Sequence, residues 1–408
     1  MIHALVLGVT LQTFAHLSLA DAERAAIAHS PDVAAASARV DEARANLAAA
    51  KASYGPALTA NYNAAPQGGN APGETIEQRL TTLGAQVTLG DLLAYAPAAA
   101  EANAQLVAAQ ADLRDAQRTE RIAAISAYFG ALDAHATLGA REAALTDARA
   151  QARAAKLRFD AGDAPKLDVV RADVAIALAQ ADLARARADV QNADDVLEQT
   201  AGLDPSALNT VDMRAPQPHR LAIEPSAAVA SALASRPEIA AAQADVSAEE
   251  HAVEVARRGG LPLLTLSAGE TSGTDSGINV HGPSANVQLT LPVIGAAHDR
   301  VLAERARLAQ ARAMLEKARR SVTIEVASAA RTAIGDEAAL RASDRALEQA
   351  RAEFAAVREG YRSGASSSLD VESARVTYEQ ALVNDISARY ALERAQATFE
   401  LEIGDSHA

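Results

Sequence analysis

The sequence predicts a mainly α-helical fold with a small β part, written twice as one helix–strand–strand–helix–helix unit repeated in tandem. Three observations carry that prediction. The second half repeats the first at a nearly constant offset, apolar residues recur every seven positions over long spans, and four short segments alternate with a period of two.

The offset is 206 residues at first. It pairs Pro31 with Pro237, Val40 with Val246, Leu47 with Val253, Pro56 with Pro262 and Leu58 with Leu264. Beyond residue 84 it becomes 202, pairing Leu89 with Leu291, Leu113 with Leu315, Leu145 with Leu347, Asp168 with Asp370 and Gly202 with Gly404. Copy one therefore carries four extra residues between 64 and 84, within a Pro- and Gly-rich stretch that composition reads as a loop. The boundaries that follow are copy one at 17–203, a linker with Pro205, Pro216 and Pro218 at 204–224, copy two at 225–404, and a tail at 405–408.

Each copy opens on a heptad helix, with Val33, Val40, Leu47 and Tyr54 in one and Ile239, Val246 and Val253 in the other. A run of period seven with small residues between is a left-handed coiled-coil seam. Alternating segments follow at about 57–64 and 84–90, then at about 263–270 and 285–291. One face of each is apolar (Leu58, Ala60, Tyr62; Val87, Leu89; Leu264, Leu266; Val287, Leu289). The other is uncharged and polar (Thr59, Asn61; Gln86, Thr88; Thr265, Ser267; Asn286, Gln288). A soluble sheet usually carries charge on its wet face. Asn, Gln, Thr and Ser without charge suit the lumen side of a membrane barrel, with the apolar side toward lipid.

Long helices are expected next, at about 96–158 and 298–360. Val301, Leu308, Leu315 and Val322 keep the heptad, as do Leu340, Leu347, Phe354 and Tyr361. Sixty-three residues make about 95 Å of helix. Gly162 and Gly364 end these spans as left-handed caps. A partner helix returns over about 165–201 and 367–403, its heptad carried by Ile176, Leu183, Val190 and Leu197, and by Val376, Val383 and Tyr390.

Composition bounds the function. Apolar residues reach 49% while aromatics are only 3%, the palette of long helices. A net charge of -14 argues against a nucleic-acid partner. The lack of cysteine removes disulfides and thiol chemistry. Residues 1–16 include an apolar, signal-like run, without the positive start that a secretory signal shows. No segment is apolar enough for a transmembrane helix. Nine scattered histidines, His281 and His298 among them, show no ligand spacing. No nucleophile–base pair stands out, so neither a metal, a cofactor nor an enzyme is expected.

Four strands cannot close a membrane barrel, and an open edge is not tolerated in lipid. Three chains would supply twelve strands, enough for a lumen. Residues 17–404 resemble the TolC-like outer-membrane efflux protein family. The resemblance rests on Leu17-Ser18-Leu19-Ala20-Asp21-Ala22 leading to Ser30-Pro31-Asp32, on Pro56 and Pro262 at the strand entries, and on the tips at 159–169 and 361–371. It implies a homotrimeric duct with a 12-stranded β-barrel and a long coiled-coil helical barrel, spanning the Gram-negative outer membrane and reaching into the periplasm. It also implies a periplasmic membrane-fusion (adaptor) partner, an inner-membrane pump of the RND, ABC or MFS type, contact with outer-membrane lipid, and passive conduction of the pump's substrates. By position it makes Gly162 and Gly364 the tip turns of a periplasmic gate and Asp168 and Asp370 entrance carboxylates. Arg171 and Ser373 stand where some members carry a further acid. A ring of such carboxylates should raise its own pKa values by mutual repulsion. Ser367 and Asp370 also fit a helix-capping pattern, and Asp168 follows Pro165 in a first turn, where the helix dipole favours an acid. The competing reading is a soluble or periplasmic coiled-coil scaffold or adaptor, which has no reason to interrupt its heptads with uncharged alternating strands.

Overall fold

The computed structural model describes residues 16–52, 56–68, 75–202, 212–213, 224–275, 278–291 and 294–404. The signal-like residues 1–15, Tyr54, most of the linker and the tail lie outside them. Two compact units emerge, one drawn from Met1–Ala34, Asp115–Arg236 and Ser321–Ala408, the other from Ala35–Arg114 and Pro237–Arg320.

Copy one begins with strand β1 (His16–Leu17) and helices α1 (Leu19–His29) and α2 (Pro31–Ala52). Sequence reading took the heptad from Val33 as the opening helix; the structure places that heptad in α2 and adds the shorter α1 before it. Ser18 starts α1 with a capping box, its hydroxyl accepting from the Asp21 N–H at 3.2 Å while the Asp21 carboxylate accepts from the Ser18 N–H. Ser30, before Pro31, leaves the helical region with ψ 123°. The clash of a proline ring with the preceding residue dictates that break. Copy two repeats it: α5 (Pro225–Ser235) ends at Arg236 with ψ 129°, and α6 (Pro237–Arg258) follows. Val33, Val40 and Leu47 are buried along α2, so the heptad marks the packed side.

In the unit that holds them, the four long strands form one antiparallel sheet in the order β2 (Ala57–Gly68), β3 (Thr75–Thr88), β5 (Leu263–Asp275), β6 (Ile278–Thr290). Each copy supplies a hairpin, and β3 pairs with β5 to join them. The strands are longer than the alternating segments. Pro66–Gly68, within the stretch that composition reads as a loop, pairs with Thr75–Glu77, and His281 lies in β6 opposite Ser272. At the joint, Gly84 lies opposite Gly269. A Cβ added to Gly84 would stand 2.6 Å from the Ala268 carbonyl oxygen, so only glycine permits this approach of the two copies.

Two long helices run from the sheet strands to the turns: α3 (Leu89–Asp160) and α7 (Ile294–Ser363). Both start earlier than expected. α3 accommodates Pro97 nine residues in, at the loss of one ladder hydrogen bond. Their partners are α4 (Lys166–Ala201) and α8 (Ser368–Glu402). In the other unit, α3 and α4 meet through Leu145, Ala148, Ala179 and Leu183, and α7 and α8 through Phe354, Val371 and Ala374. The rings of Phe354 and Tyr378 stack at 5.8 Å. The four positive-φ glycines, Gly162, Gly202, Gly364 and Gly404, are two pairs at the 202-residue offset.

The same unit holds the largest apolar cluster, with Leu17, Ile125, Tyr128, Phe129 and Leu197 at its centre. The Tyr128 hydroxyl donates to the Leu17 carbonyl at 2.9 Å. Part of the expected linker is structured too. Asp212–Met213 forms β4 and pairs in parallel with β1. Copy two has Ala327, Ala330 and Arg331 at the positions of Ile125, Tyr128 and Phe129, so the centre of this core comes from copy one, with Tyr390, Ala397 and Leu401 of copy two packed against it.

Candidate functional site

Two features of this chain demand an environment other than bulk water and a fixed neighbour: the sheet's outer face and the hairpin tips. Register lines most apolar residues of the four strands on one face, with Leu80, Val280 and Ile278 on the other. Leu58, Ala85, Ala268 and Ala285 form one row; Val87, Leu266 and Val287 form the next. This face is the bare one. Leu58 is 91% exposed, Val287 68% and Leu289 61%. Burying such groups is worth about 25 cal/mol per Å², so a contiguous exposed apolar face marks a lipid or partner contact. The opposite face carries Thr59, Thr82, Gln86, Ser267, Thr271 and Asn286, with Thr82 and Thr271 hydrogen-bonded across the copy joint at 3.0 Å. Toward the hairpin ends the apolar face gives way to Tyr62 and to the Glu270–His281 pair at 2.9 Å. At 12 to 14 residues, each strand exceeds the roughly 9–11 that a tilted crossing requires. Among the described residues, the outer edges of β2 and β6 pair with no further strand.

The second feature sits where α3 turns into α4 and α7 into α8. Gly162 and Gly364 take φ of +85° and +81°, the left-handed region where a side chain is strained. These turns set the following helix starts, and there the two copies part. In copy two, the Ser367 hydroxyl accepts from the Asp370 N–H at 3.2 Å, and the Asp370 carboxylate accepts from the Ser367 N–H and hydroxyl, both at 2.8 Å. This is the capping box read from the sequence. Those donors hold the Asp370 carboxyl below its ordinary range, the opposite direction from the one a ring of acids would impose.

Asp168 caps nothing. Its side chain is only 11% exposed and turns toward copy two. The Ser368 hydroxyl donates to it at 2.5 Å and the Tyr361 hydroxyl at 3.3 Å. Arg171, one turn along α4, lies 4.0 Å from Asp168 and donates to Ser368 Oγ at 3.1 Å. Arg158 lies over the Tyr361 ring, 4.6 Å from its centre, and donates to the Tyr361 carbonyl at 3.3 Å. The expected tip residues thus fall into three groups: Gly162 and Gly364 turn, Ser367 and Asp370 cap, and Asp168 links the two hairpins. Arg158, Tyr361 and Ser368 escaped sequence reading. A signal existed, because the matched tips differ there: Phe159 against Tyr361, and Lys166 against Ser368. Each difference gives copy two a hydroxyl aimed at Asp168.

Other carboxylates are structural. Arg236 is fully buried, and Glu402 and Glu325 hold it at 2.5 and 3.0 Å. Asp385, also buried, accepts from the Ser343 hydroxyl at 3.1 Å. Its carboxyl is pushed up by burial and by the adjoining Asp344 carboxyl, against the pull of Arg389.

A two-faced four-stranded sheet and paired helical hairpins define a class of membrane channel. The family model described as outer membrane efflux protein matches residues 24–203 and 228–404, so the chain belongs to that family. The chain is similar to the outer membrane efflux protein BepC of Brucella suis biovar 1 (strain 1330), 29% identical over 367 residues that cover 86% of this chain and 78% of BepC. Its fold is that of the outer-membrane channel OprN, with a TM-score of 0.83 at 22% identity over 95% of this chain and 89% of the other. The outer membrane protein VceC of Vibrio cholerae gives 0.80 at 20% identity, over 95% and 96%. The protein is an outer-membrane efflux channel that reaches into the periplasm. The scaffold reading drops out.

Proposed function

We propose that three copies of this chain close a 12-stranded barrel and that the tips form its periplasmic gate, held shut by Asp168. The observation that carries this reading is the Asp168 cluster, which ties one hairpin to the other through the Tyr361 and Ser368 hydroxyls. Three-fold closure pairs β2 of one chain with β6 of the next and turns the apolar face outward to lipid. The uncharged polar face then lines the lumen, which suits cargo that passes without binding tightly. A periplasmic adaptor engages the hairpins and frees the tips, and an inner-membrane pump of the RND, ABC or MFS type supplies the energy. The duct itself does no chemistry; it changes only who can reach the outside.

Two measurements test this. Purified protein in non-ionic detergent should run as a trimer by light scattering. In planar bilayers it should show small, rare openings that Asp168→Ala makes frequent. A monomer with a stable sheet would sink the barrel, and an unchanged open probability would sink the gate.

A further inference from the structure

One cleft near the tips carries charge of the opposite sign to the chain. The net charge is -14, yet Arg158, Arg171, Arg358 and Arg362 line the cleft against only Asp168 and Glu372, and the run before Arg158 adds Arg149, Arg153 and Lys156 with no acid, outside the cleft. Between the two hairpins a cavity of about 370 Å³ opens, with Arg158, Arg358 and Tyr361 on its walls and Ala155, Ala175 and Val371 beneath. The acids that line it are already engaged. Asp168 takes the hydroxyls of Ser368 and Tyr361, and Glu372 pairs with Arg375 at 2.6 Å. Arg158 and Arg358 touch the Tyr361 and Phe354 rings, and neither has a carboxylate partner among the described residues. Helix dipoles account for arginines in the last turns, Arg158 and Arg362, but not for Arg358 or the run before 158.

We propose that this cleft is a binding site for an organic anion, a carboxylate or sulfonate on a flat apolar body. Two guanidinium groups offer fork-shaped donors for the anionic end. The alanine floor and the Tyr361 ring take the apolar body, and the volume suits a small organic ligand. Resting on the gate reading above, the inference names organic anions as a cargo class that is sampled at the entrance.

The test is calorimetric titration of the purified full chain in non-ionic detergent with naphthalene-1-carboxylate, and with the neutral naphthalene-1-carboxamide. The carboxylate should bind at least about ten-fold more tightly than the amide. Arg358→Ala should lower carboxylate affinity about ten-fold, with Arg358→Lys in between, because lysine keeps the charge and loses the fork. Arg358 is exposed on α7, so these variants leave the fold intact. Equal binding of the amide, or unchanged affinity in Arg358→Ala, would overturn the site. Bilayer recordings on the same preparation separate the two readings. Conductance without anion binding overturns the cleft alone. Anion binding without conductance overturns the channel gate and leaves the site standing.

Discussion

Asp168→Ala removes the acceptor that joins the two tips, and its cost can be built contact by contact. The Ser368 hydrogen bond, 2.5 Å to a carboxylate with 11% side-chain exposure, is of the charge-assisted kind worth about 1.5–3 kcal/mol. The Tyr361 bond, at 3.3 Å, adds about 0.5–1 kcal/mol. Arg171, 4.0 Å away and partly exposed, contributes about 0–0.5 kcal/mol. These terms share one carboxylate and do not add fully, which leaves about 2–3 kcal/mol per latch. At 1.4 kcal/mol per factor of ten, the ratio of open to closed tips should rise roughly 30- to 150-fold. Single-channel recording in planar bilayers reads this directly as open probability. Tyr361→Phe keeps the ring under Arg158 and loses only the weaker bond, so it should shift the ratio by only about two- to five-fold. Asp370→Ala is the control. It weakens the start of α8 by about 0.5–2 kcal/mol and leaves the latch in place. If Asp168→Ala matches the unmodified protein, or if Asp370→Ala opens the channel more, the assignment of the latch to Asp168 is wrong.

Three further outcomes follow from the same geometry. Asp385 has a raised carboxyl pKa, so the folded state holds its proton more tightly than the unfolded chain, and stability rises as pH falls from neutral through that raised value toward 3.8. Asp385→Asn should raise the thermal dissociation temperature at pH 7 and shrink the gain on going to pH 5; an unaltered pH slope would count against it. Glu402→Gln strips the closest partner from buried Arg236, and with Glu325 still in reach should cost about 3 kcal/mol in urea unfolding. On the sheet, Val287→Arg should cost about 2–4 kcal/mol in folding into lipid vesicles, while the neighbouring Asn286→Arg, on the opposite face, should cost little. Equal penalties would mean that the faces are assigned the wrong way round.

Much of this architecture was written locally. The heptads of α2 and α4, the alternation of Leu58–Tyr62 and Ala285–Leu289, and the Ser367–Asp370 cap are short-range patterns that pairing and packing keep. The failures have physical causes. Pro66–Gly68 has the composition of a loop, but the β3 backbone supplies its ladder partners. The break at Ser30 comes from Pro31, and the helix before it, α1, carries no heptad to announce it. Asp168 looked like the equal of Asp370 because each opens a helix. What separates them lies 193 and 200 residues away, at Tyr361 and Ser368, where no local pattern reaches.

That difference sets the two copies of the duplicated chain apart at their tips. Identity between the copies survives where geometry demands it: Gly162 and Gly364 must both turn, and both hairpins must show lipid the same face. It lapses where a switch is built. Had both tips kept Phe at 159 and 361 and Lys at 166 and 368, neither acid would have found a hydroxyl across the gap. Each would cap or solvate alone, and the tips would keep the Arg158 bond to the backbone carbonyl at 361 but no bond through Asp168. Two substitutions in one copy give Asp168 a partner and leave Asp370 to its own helix. On the gate reading proposed above, a latch of about 2–3 kcal/mol would keep a tip closed most of the time. On the same reading, a docking protein that binds the open tips more tightly by a similar free energy would release it.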